Sequence, residues 1–135
     1  MNENFIIVTE HPTPPELLDK LLQFAPKFAK KWETSLSVAK DGSFTVHGVF
    51  SEFSSFVRDQ FGKMDENTKQ ALFDFVEECV KTNAKSENGI SNAACTCFLE
   101  NIAGEGELSQ LIEPYLGPES RKYFDKWNGE RPTTP

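Results

Sequence analysis

Residues 91–104 read SNAACTCFLENIAG, and the fold turns on whether this stretch is a metal or redox site or a buried helix. On an α-helix, side chains two apart diverge by about 200°. Cys95 and Cys97 therefore cannot grip one ion while the helix stays intact. Zinc needs two further ligands, yet Cys79 falls on a different predicted helix, and His11 and His47 share no ligand spacing. Redox chemistry asks for Cys-x-x-Cys at a helix start. The stretch reads instead as a helix capped by Ser91, with Ala93, Ala94, Cys97, Phe98 and Ile102 around one face and Gly104 as its stop. Small Ala and Cys side chains allow neighbouring helices to come close, so the cysteine pair is read as packing.

Working outward, helical spacing continues in both directions. Thr13 and Glu16 have capping-box spacing around Pro14, and Leu17, Leu18, Leu21 and Leu22 follow on one face. Pro26 opens a second helix carrying Phe28 and Trp32. Val49, Phe50, Phe53, Phe56, Val57 and Phe61 form a strongly apolar stripe that Gly62 ends. Asp65 caps the next helix, with Leu72, Phe73, Val76, Cys79 and Val80 inward and Phe75 off the stripe as an exposed aromatic. Beyond a polar loop at 82–89 and the quoted helix, one helix carries Leu108, Leu111, Ile112, Tyr115 and Leu116. Gly117 ends it, and Pro118 opens the last, with Tyr123, Phe124 and Trp127.

The single β-signal is ETSLSVAKDGSFTVHG, residues 33–48. A loop at Lys40-Asp41-Gly42 pairs Ala39 with Ser43, Val38 with Phe44 and Leu36 with Val46, and puts Gly42 at the left-handed position. The expected fold is thus mainly α, a single-domain bundle of six to seven helices over residues 1–135 with one short β-hairpin at 36–46. Residues 1–13 form an N-terminal arm and 129–135 a frayed tail.

The totals narrow the function classes. No apolar run is long enough to span a bilayer, and residues 1–15 lack the pattern of a signal peptide. Three cysteines do not make a disulfide framework, so a cytoplasmic location is expected. The net charge of −7 is uneven: residues 65–119 hold eleven carboxylates against three lysines, leaving about +1 for the rest. Such a surface suits neither nucleic acid nor membrane and favours a basic protein. His47 lacks a visible nucleophile or orienting acid, and adjacent Glu77 and Glu78 diverge, which leaves no catalytic constellation. Lys27, Lys30 and Lys31 beside Phe28 and Trp32 make a small basic-aromatic patch, read as a solvent face.

Two segments, Asn92-Ala93-Ala94-Cys95-Thr96-Cys97-Phe98-Leu99-Glu100-Asn101 and Leu116-Gly117-Pro118-Glu119-Ser120 followed by Trp127, share a pattern with known proteins. They resemble small α-helical bacterial proteins, among them immunity proteins of polymorphic toxin systems, including contact-dependent growth inhibition. The likeness runs over residues 46–128. It implies a non-enzymatic protein without cofactor or metal that neutralises a cognate toxin domain, itself basic, with a nuclease among the candidates. Joined to the charge distribution, it puts partner binding on Glu66, Asp74, Glu77, Glu78, Glu100, Glu105 and Glu107. The other classes are a helical adaptor with an exposed apolar groove, and a small-molecule binder with a phenylalanine-lined pocket.

Overall fold

The computed structural model describes residues 13–35, 38–81, 89–103 and 106–130, with side chains as far as 125. Seven helices occur among them: α1 (Pro14–Phe24), α2 (Phe28–Glu33), α3 (Val46–Gln60), α4 (Glu66–Lys81), α5, α6 (Glu107–Ile112) and α7 (Pro118–Glu130). Helix α5 joins three unbroken stretches, Ile90–Ala93, Ala94–Leu99 and Glu100–Ile102. Short 3₁₀ turns, Phe61–Lys63 and Glu113–Tyr115, follow α3 and α6. No helix among the described residues is long and apolar enough to cross a membrane.

Local chemistry starts α1 and α4 where the sequence expects. Thr13 Oγ1 accepts from Glu16 N at 3.2 Å while the Glu16 carboxylate accepts from Thr13 N at 2.8 Å. Asp65 Oδ1 accepts from Thr68 N at 2.8 Å, and this hydrogen bond holds its carboxyl below the usual range.

The centre is aromatic. Phe98 of α5 lies 5.7 Å from Phe50 and 5.8 Å from Phe53, both on α3, and 5.8 Å from Phe73 on α4. Phe28 of α2 meets Phe53 edge-on at 4.9 Å, and Tyr115 reaches Phe61 at 5.7 Å. Rings at these separations gain about 0.5–1.5 kcal/mol per pair beyond burial. One connected set of rings thus ties α2, α3, α4 and α5 to the turn after α6.

Helix α5 is buried on most of its circumference, with Ile90, Ala93, Ala94, Phe98, Leu99, Ile102 and Ala103 all in the core. Its middle, Ala94–Leu99, is a π-turn in which Glu100 N donates to Cys95 O, five residues back. The wider turn alters carbonyl pairing, and side chains supply donors at its two ends. Thr96 Oγ1 donates to Asn92 O at 2.9 Å, and Asn101 Nδ2 to Cys97 O at 2.7 Å. Asn101 also donates to Ser54 Oγ at 3.2 Å, the interhelical lock between α5 and α3.

Four expectations are corrected. No strand occurs among the described residues, so the 36–46 hairpin is not formed there, and Leu36 itself lies outside them. The tight turn does exist: Ala39 N donates to Ser43 O at 2.8 Å, and Gly42 sits at φ 90°. Thr45 then caps α3 by accepting from Gly48 N at 2.9 Å, so Val46 enters a helix instead of a strand. Phe44 packs on Trp32 at 5.0 Å, which docks the turn on α2. Phe75 is buried against Phe24, their centroids 5.5 Å apart, because α4 packs against α1 as well as the central helices. Ser91 is not the cap of α5, since Gly89 holds that position and Ser91 Oγ donates to Val80 O at 2.9 Å. Gly129 and Glu130, expected in a frayed tail, are the end of α7. The arm at 1–12, the loop at 82–88, the stop at Gly104 and the tail at 131–135 lie outside the described residues, as does the side chain of Trp127.

Because Phe98 joins three helices, Phe98→Ala is expected to cost about 3–5 kcal/mol. Phe44→Ala, which loosens only a docked turn, should cost well under half of that. Urea unfolding of both variants, followed by circular dichroism, checks the ordering.

Candidate functional site

The outer face of α4 carries Gln70, Asp74, Glu78 and Lys81 at three- and four-residue spacing, opposite the buried stripe of Leu72, Phe73, Val76 and Cys79. Gln70 Nε2 donates to Asp74 at 2.9 Å, and Lys81 lies 3.4 Å from Glu78. At the start of α4, Glu66 is 76% exposed in its side chain and accepts a hydrogen bond from the Tyr115 hydroxyl. That bond, followed by burial, pushes the Tyr115 phenol above its ordinary pKa. Lys69 is tucked beneath, with 14% of its side chain exposed, 3.7 Å from Glu66 and 4.6 Å from the centre of the Phe61 ring. Gln70 Nε2 also reaches Tyr115 O at 3.4 Å, so α4 and the turn after α6 form one surface.

Leu111 lies on α6, the helix that leads into that turn. It is 57% exposed, the one large hydrophobic side chain so exposed among the described residues. Glu107 stands one helical turn before it and Tyr115 about one turn after, while Glu113 beside it is 3.3 Å from Arg121. The helix is short and lies at the edge of the bundle, so burying Ile112 leaves Leu111 facing out.

Of the carboxylates expected to bind a partner, Glu66, Asp74 and Glu78 share the α4 side of this surface, and Glu107 lies on α6. Glu100 is half-buried on α5, where it accepts from Tyr123 Oη at 3.1 Å. Glu105 lies outside the described residues.

Glu77 is the correction. It is 7% exposed and turned inward, where Oε2 accepts from Glu119 N at 3.0 Å and Oε1 from Ser120 N at 2.9 Å and Ser120 Oγ at 2.8 Å. The carboxylate thus caps α7 from a helix forty residues away in sequence. A Cβ at Gly117 would lie 2.5 Å from Glu77 Cδ, so only glycine leaves room for the cap. The signal in the sequence was a Gly-Pro helix start with no Ser, Thr, Asp or Asn before it, which asks for an acceptor from elsewhere. The Leu-Gly-Pro-Glu-Ser segment is therefore a helix junction.

The cysteine stretch holds His47 as well. Its Nε2 lies 2.9 Å from Asn92 Oδ1, a hydrogen bond that ties the start of α3 to α5. Cys97 Sγ is 3.6 Å from Thr96 Oγ1, and burial pushes the Cys95 thiol up from 9.0 to about 11. Burial also raises Cys79, with the nearby Glu78 charge adding to it. Among the described residues no three His, Cys, Asp or Glu side chains converge as metal ligands.

Residues 18–130 match the model of a family described as Domain of unknown function (DUF7674), and the chain belongs to that family. No curated protein and no solved structure matches it.

Glu77→Ala removes the acceptor of three hydrogen bonds and is expected to cost about 2–3 kcal/mol. Gly117→Ala should cost about 1–3 kcal/mol by crowding the same carboxylate. Combined, the two should cost less than their sum, since both act on one contact, and a double-mutant cycle in urea measures this. A thiol whose folded pKa is raised stays protonated until the pH approaches that value. Cys95 should accordingly react with iodoacetamide at about pH 8 far more slowly in the folded protein than in guanidinium, as peptide mass spectrometry can show.

Proposed function

We propose that this family member is a non-enzymatic binding module that holds a basic protein against the surface formed by α6 and the outer face of α4. The observation that carries this reading is Leu111, 57% exposed beside Glu107 and Tyr115. One apolar anchor in an anionic surround is how a small interface gains both affinity and a fast approach. Four of the described carboxylates, Glu66, Glu78, Glu113 and Glu119, have a cation within 3.7 Å. Exposed pairs of this kind hold by only about 0–1 kcal/mol and can exchange partners, so they do not block recognition.

The most specific form of the proposal is neutralisation of a cognate toxin domain. Its support is the resemblance of residues 46–128 to immunity proteins together with the net charge of −7. The residues behind that resemblance hold helices together, so the anionic surface is what would meet the toxin.

Immobilised wild-type protein, Leu111→Asp, and the double variant Asp74→Lys with Glu107→Lys would be exposed to an extract of the source cells at low and high salt. One basic protein should be retained by wild type, released as salt rises, and lost or much reduced on both variants. Equal recovery on Leu111→Asp would move the interface elsewhere. If the recovered protein is toxic when expressed alone, co-expression of wild type but not of Leu111→Asp should restore growth.

A further inference from the structure

A cleft of about 300 Å³ opens between the end of α1, the end of α3 and the start of α4, away from the surface around Leu111. Phe56, which is buried, and the half-buried Phe24 and Met64 give it apolar lining, and the half-buried Thr68 and the exposed Lys27 and Lys63 also line it. Both lysines are exposed, and among the described residues neither has a carboxylate within salt-bridge distance. Lys69, Lys81, Arg121 and Lys122 do have such partners. Asp65 also lines the cleft, but its carboxylate is engaged by Thr68 N at 2.8 Å.

Two lysines less one aspartate leave a single net positive charge at the mouth of an apolar hollow. The volume lies at the lower end of the range that small-molecule sites occupy. We propose that this cleft binds a small apolar carboxylate, its body against Phe24, Phe56 and Met64 and its charge between Lys27 and Lys63. A monoanion balances the rim, while a larger polyanion would meet Asp65 and the acidic remainder of the chain. The basic-aromatic character of the α2 region is thereby partly assigned, since Lys27 precedes Phe28 with its charge at the cleft and its neighbour's ring in the core.

The test uses 2-naphthoate as the probe and 2-naphthamide as its neutral counterpart, titrated into the full chain and followed by amide chemical shifts. The expected result is saturable one-to-one binding of the carboxylate, with shifts centred on 24–28 and 63–68. The amide should bind more weakly. Lys27→Glu with Lys63→Glu, both at exposed positions, should lower carboxylate affinity by about tenfold or more and leave the amide unchanged, with the undisturbed remainder of the spectrum reporting the fold. Absence of saturation, shifts centred elsewhere, equal affinity for the amide, or full carboxylate affinity in the double variant would each overturn the proposal.

Discussion

Phe98 is the contact on which the arrangement depends. It touches Phe50, Phe53 and Phe73 at once, and so fixes α3 and α4 relative to α5. A regular helix of this sequence would struggle to bury Ala94, Phe98 and Leu99 together, because side chains five apart drift round a 3.6-residue turn. The π-turn removes the drift and aligns residues 94 and 99 toward the core. Its altered carbonyl pairing is offset by Thr96 and Asn101, and both residues stand inside the quoted segment. Burial raises the thiols of Cys95 in this segment and of Cys79 on α4, which keeps both protonated at neutral pH.

A second constraint follows from the first. With α4 fixed, Glu77 faces the start of α7, and its carboxylate replaces the cap that Gly117 cannot provide. Ser120 is fully buried at this junction, so α7 is placed by directional bonds as well as by packing. Removing an acidic residue from the outer surface of α4 in this way narrows the anionic face to Glu66, Asp74 and Glu78.

The phenylalanine stripe of α3 was legible in the sequence because large apolar residues recur at helical spacing over twelve positions, and every one of them is buried. The caps at Thr13 and Asp65 were legible because the donor and acceptor are three residues apart. Phe75 was misassigned, and the exposure of Leu111 was not legible, for one shared reason. A helical stripe reports its own direction but not how many neighbours surround it. Helix α4 has partners on two sides, while α6, at the margin, has few. The π-turn and the Glu77 cap were not legible, since neither a five-residue hydrogen bond nor a contact across forty residues leaves a local period. Which of the expected carboxylates share a face was not legible, because Glu77 is turned inward by the α7 junction while Asp74 and Glu78 on the same helix face outward.

Charge divides the molecule between two surfaces with different requirements. A basic partner of the kind proposed would be drawn from a distance by the net charge of −7, and local pairing changes that field little. A small anion feels repulsion from the same field, but at physiological salt this is screened over about 8 Å. Within that distance Lys27 and Lys63, which have no carboxylate partner among the described residues, outnumber Asp65 in the lining of the cleft. Long-range attraction of one partner is therefore compatible with short-range capture of an oppositely charged ligand. Helix α4 links the two, because Asp65 lines the cleft at its start and Glu66, the next residue, holds Tyr115 on the other surface. A ligand that shifts the first turn of α4 would thus change how Tyr115 is presented beside Leu111.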